Sequence, residues 1–189
     1  MFINMITIND AFKNKDEFLE ILWAAFDYFP EGLWQGIKYL GNIALNHNLK
    51  IKLKKKVYSA LIFNDLIRQL KEIKKTIKAN TLLLTLTKDP VIAVYTRLEV
   101  ERFERIINLV HDYVSTDVGI LSLFGKVDEK AIKMAAHGLG HNKGLEHHLK
   151  PVDLMYAGLL KENSIESDGF CVECQKKLKN RIIHKHKLV

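Results

Sequence analysis

The stretch Ala135 to His148 reads AAHGLGHNKGLEHH and holds four of the chain's eight histidines, His137, His141, His147 and His148. If a helix begins at Val127, His137 and His141 stand four residues apart on one face, close enough to grip a single ion. Gly144 ends that helix, because a residue without a Cβ takes the left-handed conformation at little cost. The turn beyond it can bring His147 round as a third nitrogen. Three neutral imidazoles with a fourth position open are the ligand set of a catalytic zinc site. Gly138 and Gly140 each cost a helix roughly 1 kcal/mol relative to Ala, a loss that bound metal can offset. A histidine pair at this spacing is mostly coincidence when it stands alone. Here it is followed, in order, by a glycine, a third histidine, Met155 and a C-x-x-C pair at Cys171 and Cys174.

On either side the chain alternates strand-like and helix-like segments. Phe2 to Ile8 is predicted as a strand. Phe18, Ile21, Leu22, Ala25 and Phe26 predict a helix over Lys15 to Tyr28, closed by Pro30. Leu33, Ile37, Leu40 and Ala44 predict a second helix over Glu31 to Leu45. From Leu49 to Tyr58 apolar residues alternate with lysines, the pattern of an edge strand, where lysine discourages sheet-to-sheet pairing. Leu61 to Ile77 is predicted as an amphipathic helix, and Thr81 to Thr87 (TLLLTLT) as a central strand buried on both faces. A strand over Val91 to Thr96 is followed by a predicted helix from Leu98 to Tyr113, drawn from Val100, Phe103, Ile107 and Val110, with His111 as a surface or core residue on it. Val118 to Phe124 is the last strand and leads through Gly125 into the histidine helix. Leu159 to Ser167 is a helix-like fragment. This order predicts an α/β fold, a mixed sheet flanked by helices with the metal helix beneath the cleft.

The chain has 189 residues, 48% of them hydrophobic, enough for one sizeable core. One domain over residues 1–178 is expected, followed by a basic tail over 179–189. No apolar run approaches the ~18 residues of a membrane span, so a soluble, cytoplasmic protein is expected. In that compartment two cysteines three apart point to metal or redox chemistry rather than to a disulfide scaffold. The formal net charge of +7 admits a nucleic-acid or acidic partner. The lysines, however, are spread through helices and mixed with Glu and Asp, so solvated faces account for most of them and nucleic-acid contact is the lesser reading. Twenty-four lysines against three glutamines resemble hyperthermophile usage.

The sequence His137-x-x-Gly140-His141-x-x-Gly144-x-x-His147, followed by Met155, resembles the signature of the metzincin metallopeptidases. Cys171 and Cys174 make it similar, within that clan, to the archaemetzincins. The resemblance covers Ala135 to Leu178. It implies a metzincin-like fold, a Zn2+ ion on His137, His141 and His147, Met155 as the Met-turn beneath it, and a peptide or protein substrate. It also implies a second zinc on Cys171 and Cys174. Where the family places two further cysteines, this chain has His148 and Asp153, both themselves zinc-ligating types. The strand before the metal helix, Gly119 to Phe124, is implied as the edge of the cleft, where an extended peptide could add as a further strand.

One departure bears on chemistry. The family's first histidine is followed by a glutamate that takes a proton from the attacking water and passes it to the leaving amine; here that position is Gly138. A positioned acid/base is typically worth about 10²–10⁴ in rate. Glu146 is the nearest carboxylate in sequence, but it lies past the glycine turn. Three readings follow. The chain is a zinc-binding, metallopeptidase-like protein, weakly active or inactive as a pseudo-enzyme; or a hydrolase that uses Glu146 or another carboxylate brought in by the fold; or a zinc-stabilised binding module whose basic surface contacts nucleic acid or an acidic partner.

Overall fold

A computed structural model describes residues 1–10, 14–99, 102–149, 153–156, 158 and 168–186, with 99, 102 and 183–186 described by backbone alone. Strands β1 (Phe2–Ile8), β2 (Gly36–Ile43), β5 (Leu82–Thr87), β8 (Asp112–Val114) and β9 (Val118–Ser122) form a five-stranded sheet in the order β2-β1-β5-β9-β8. The first four of that order run parallel, and β8 closes one side antiparallel to β9. β5 lies at the centre and every residue in it is buried, as its uninterrupted apolar reading requires of a strand covered on both faces.

Alternation along β5 divides the core. Leu82, Leu84 and Leu86 face a layer made by α1 (Lys15–Phe26), through Phe18 and Leu22, and by α3 (Asp128–Asn142), through Ala131, Met134 and Ala135. Leu83 faces the other way, toward Leu66 and Leu70 of α2 (Phe63–Thr76). A final helix, α4 (Val172–His186), buries Cys174 and Leu178 in the first layer. The architecture is α/β, with a mixed sheet flanked by helices.

A second sheet has the order β3-β4-β6-β7. β3 (Leu49–Leu53) and β4 (Lys56–Ile62) form an antiparallel hairpin that turns at Lys54, whose φ is +54°. The predicted edge strand is thus two strands, and its first half is the edge. β6 (Val91–Glu99) and β7 (Arg102–Val110) form a long second hairpin, joined to β4 by parallel pairing at Leu61 and Ile62.

Two predicted helices are strands. Over Glu31 to Leu45 the chain forms β2 instead, parallel to β1. There Gly36 packs so tightly on the Phe2 ring that a Cβ would fall 2.9 Å from it, and Gly41 takes φ +128°. The glycines that weaken a helix are here what the sheet requires. Over Leu98 to Tyr113 the chain forms the end of β6, then β7 and β8. Phe103 and Ile107 satisfy a period of two as well as one of 3.6, and β6 offers the segment a full-length partner. His111 therefore lies between two strands, with its Nδ1 3.4 Å from the Ser122 carbonyl oxygen. Nor is the strand before α3 an edge, because β8 covers it. The helix-like fragment Leu159 to Ser167 lies outside the described residues.

Candidate metal centre

Helix α3 runs beneath the sheet, buried along most of its length. Its last turn closes through Gly144, which has φ +72° and donates its N–H to the His141 carbonyl at 2.8 Å; the Leu145 N–H bonds to the Gly140 carbonyl at 3.0 Å. This reversal carries His147 back over the helix. The Nε2 atoms of His137, His141 and His147 then stand 3.0, 3.1 and 3.0 Å apart.

The other ring nitrogens of His137 and His141 fix what two of those three atoms can be. His137 Nδ1 donates to the Leu154 carbonyl at 2.6 Å, and His141 Nδ1 to the Leu145 carbonyl at 3.0 Å. With the proton on Nδ1, Nε2 of His137 and of His141 carries a lone pair, and these two lone pairs face each other at 3.1 Å, an arrangement a cation between them relieves. Three ligands of a tetrahedral zinc at 2.0–2.1 Å stand about 3.3 Å apart, close to the spacing seen. Burial lowers the His137 pKa to about 4, and burial together with the neighbouring His137 lowers that of His141. Both rings are neutral at pH 7. The donor set fits a metal ion.

Met155 lies beneath, fully buried in the turn Asp153 to Tyr156, and its carbonyl accepts the His148 N–H at 3.1 Å. A Cβ on Gly140 would fall 2.7 Å from the Met155 sulfur. The glycine is thus what lets this turn seat against α3.

A second group comprises His148, Asp153, Cys171 and Cys174, whose donor atoms all lie within 4.8 Å of one another. His148 Nε2 is 2.9 Å from Asp153 Oδ2 and 3.7 Å from each sulfur. Burial opposes the Asp153 charge, but the Cys171 thiol and the backbone N–H groups of Met155 and Cys171 outweigh it and hold the carboxyl below its usual range. Burial first, then the Asp153 charge, pushes the Cys174 thiol up to about 12. Only a cation at the centre would draw off that proton, and the mixed N, O and S donors also fit a metal.

One further group reaches the histidines from the sheet. Asp112 Oδ2 on β8 lies 3.6 Å from His137 Nε2, on a side chain only 7% exposed. It is a buried oxygen that accepts no hydrogen bond among the described residues. Burial raises the Asp112 pKa to about 6, tempered by His141 and His147. A Cβ on Gly138 would fall 2.9 Å from Val114 Cγ2, 3.1 Å from Leu121 Cδ2 and 3.5 Å from Asp112 Oδ2.

Among solved structures, the chain is similar to an archaemetzincin from Methanopyrus kandleri, with 17% identity, 97% of this chain and 96% of that one covered, and a TM-score of 0.64. An archaemetzincin from Archaeoglobus fulgidus complexed with malonate has 16% identity, coverage of 94% and 99%, and a TM-score of 0.55. A zinc-dependent peptidase from Methanocorpusculum labreanum has 16% identity, coverage of 93% and 99%, and a TM-score of 0.53. The chain has the archaemetzincin fold. No family model matches the sequence, and no curated protein is significantly similar to it.

In this archaemetzincin fold, seven side chains singled out from the sequence fall into two clusters, His137, His141 and His147 in one and His148, Asp153, Cys171 and Cys174 in the other. Glu146 is exposed, past the glycine turn. Asp112 was not singled out. It lies well before His137 in a segment whose spacing predicts a helix, and only the β8–β9 pairing places it against α3.

Proposed function

We propose that this chain is a zinc-binding, metallopeptidase-like protein in which His137, His141 and His147 hold a catalytic-type Zn2+. His148, Asp153, Cys171 and Cys174 hold a second, structural one. The observation that carries the reading is the convergence of three imidazole nitrogens at 3.0–3.1 Å with two of the opposite ring nitrogens committed to backbone carbonyls. The likeness in fold to a protein described as a zinc-dependent peptidase supports it.

Zinc, when bound, supplies a Lewis acid for a substrate carbonyl and makes water more acidic. The protein's own groups hold the geometry: the Leu154 and Leu145 carbonyls orient two imidazoles, and Met155 packs beneath Gly140. β8 is an edge strand, so an extended peptide pairs along Asp112 to Val114. Helix α3 carries no carboxylate next to His137, and without a positioned base peptide cleavage falls by about 10²–10⁴. The protein is thus a slow peptidase or a peptide-capturing pseudo-enzyme as far as α3 alone is concerned.

The alternative, a basic binding module, draws on the net charge of +7. Around α2 part of that charge is paired, Arg68 with Asp65, Lys75 with Glu72 and Lys74 with Asp117. Metal analysis of protein purified without chelator tests the main reading. Two zinc ions per chain are expected, with His137→Ala and Cys171→Ala each losing one; zinc-free wild-type protein overturns it.

A further inference from the structure

We propose that Asp112, carried in on the edge strand, is the general base of the zinc centre in place of the glutamate that Gly138 replaces. The inference rests on the reading of His137, His141 and His147 as a zinc site and goes beyond it.

Four observations converge. First, Asp112 Oδ2 lies 3.6 Å from His137 Nε2, and of the buried side-chain oxygens left without a hydrogen bond among the described residues it is the one at this centre. An unpaired buried carboxylate oxygen is costly, and such atoms survive where a ligand or reaction uses them. Second, Asp112 is not among the atoms that lie within 4.8 Å of one another at this site. It stands beside the three-nitrogen face rather than completing it, as a base does and a fourth ligand does not.

Third, Asp112 and Val114 project from the same face of β8, while Tyr113 turns away to pack its ring 5.1 Å from Phe63. That face meets α3 at residue 138. Fourth, any side chain there would collide with Val114 and Leu121, and its Cβ would come 3.5 Å from Asp112 Oδ2. The missing glutamate and the nearby aspartate are therefore one arrangement. Without a Cβ at 138 the strand settles on the helix, and the strand delivers a carboxylate to the place the helix has given up.

The step balances without an outside reagent. The Asp112 carboxylate takes a proton from the attacking water as its oxygen bonds to the scissile carbonyl carbon. The resulting carboxylic acid returns that proton to the leaving nitrogen as the C–N bond breaks. One water is consumed, and the carboxylate is regenerated.

Full-length zinc-loaded protein and its isosteric Asp112→Asn variant provide the test, through three readouts. Zinc affinity, from chelator competition, is expected to fall no more than about 10–100-fold, the scale for a group beside a ligand, against outright loss of the ion in His137→Ala. A short peptide hydroxamate, whose hydroxyl proton needs an acceptor beside the metal, is expected to bind the variant about tenfold less tightly, the worth of one hydrogen bond to a charged group. In cleavage of a fluorogenic peptide, kcat is expected to fall about 10²–10⁴-fold with KM little changed.

A loss of zinc affinity comparable to that of His137→Ala would make Asp112 a ligand and overturn the proposal. So would unchanged hydroxamate binding, or a wild-type protein that holds both zinc ions and cleaves no peptide faster than the variant. Zinc-free wild-type protein would instead overturn the reading of the metal site itself.

Discussion

A methyl group added at Gly138 would stand 2.9 Å from Val114 Cγ2 and 3.1 Å from Leu121 Cδ2, both in the core. Gly138→Ala is therefore expected to lower stability by about 1–3 kcal/mol, despite the better helix propensity of alanine, because an overpacked core forces its neighbours off their rotamers; urea unfolding measures it. For the same reason Gly138→Glu alone is not expected to restore a family-type base, because its Cβ already meets Val114 and Leu121. Burial gives the same pocket a pH signature when zinc is removed. His137, held near 4 against an ordinary 6.5, takes its proton first in the unfolded chain, so its contribution to stability is lost as pH falls from 6.5 toward 4. Asp112, held near 6 against 3.8, is protonated first in the folded protein and so contributes stability as pH falls from 6 toward 3.8. The two oppose. Zinc-free Asp112→Asn should therefore lose more stability between pH 6.5 and 4.5 than zinc-free wild type, as read by urea midpoints at each pH.

At the scale of elements, α3 is held by what packs at its end more than by its own propensity. Gly140 admits the Met155 sulfur, Gly144 takes φ +72°, and Arg181 from α4 lies against Gly144. Gly140→Ala is expected to displace the Met155 turn, with zinc affinity at His137, His141 and His147 falling about tenfold, the scale of losses from groups that orient ligands; chelator competition reads the change. The histidine helix was legible because its motif is local: the ligand spacing and the glycine turn lie within one stretch of sequence. β2 and β7 were not. In β7 the spacing of Phe103 and Ile107 fits either period, and the pairing of β6 from Val91–Val110 to Glu99–Arg102 decides for the strand. In β2 the choice falls to the parallel pairing with β1 and the close approach of Phe2 to Gly36.

Across the whole molecule, the two clusters of ligand-type side chains tie elements that the sheet alone does not join. His148, Asp153, Cys171 and Cys174 link the turn after α3 to the start of α4, which also adds Leu178 to the main core. Removal of metal is expected to release this corner. At free zinc about 1,000-fold above its dissociation constant, one site contributes about 4 kcal/mol of stability. Chelation should thus lower Tm by several degrees, and Cys174→Ser should take away part of that difference, as calorimetry with and without chelator would show. Sequence by itself determined the spacing of the histidines and cysteines that cluster, the glycine turn between them, the central strand and the α/β class, because each rests on short-range spacing or on an apolar run with one physical reading. Tertiary structure alone decided that Gly36–Ile43 and Arg102–Val110 are strands, that β8 and not β9 is the edge, and that Asp112 reaches His137. Those outcomes depend on which distant backbone supplies the hydrogen bonds, a long-range choice that no local period encodes.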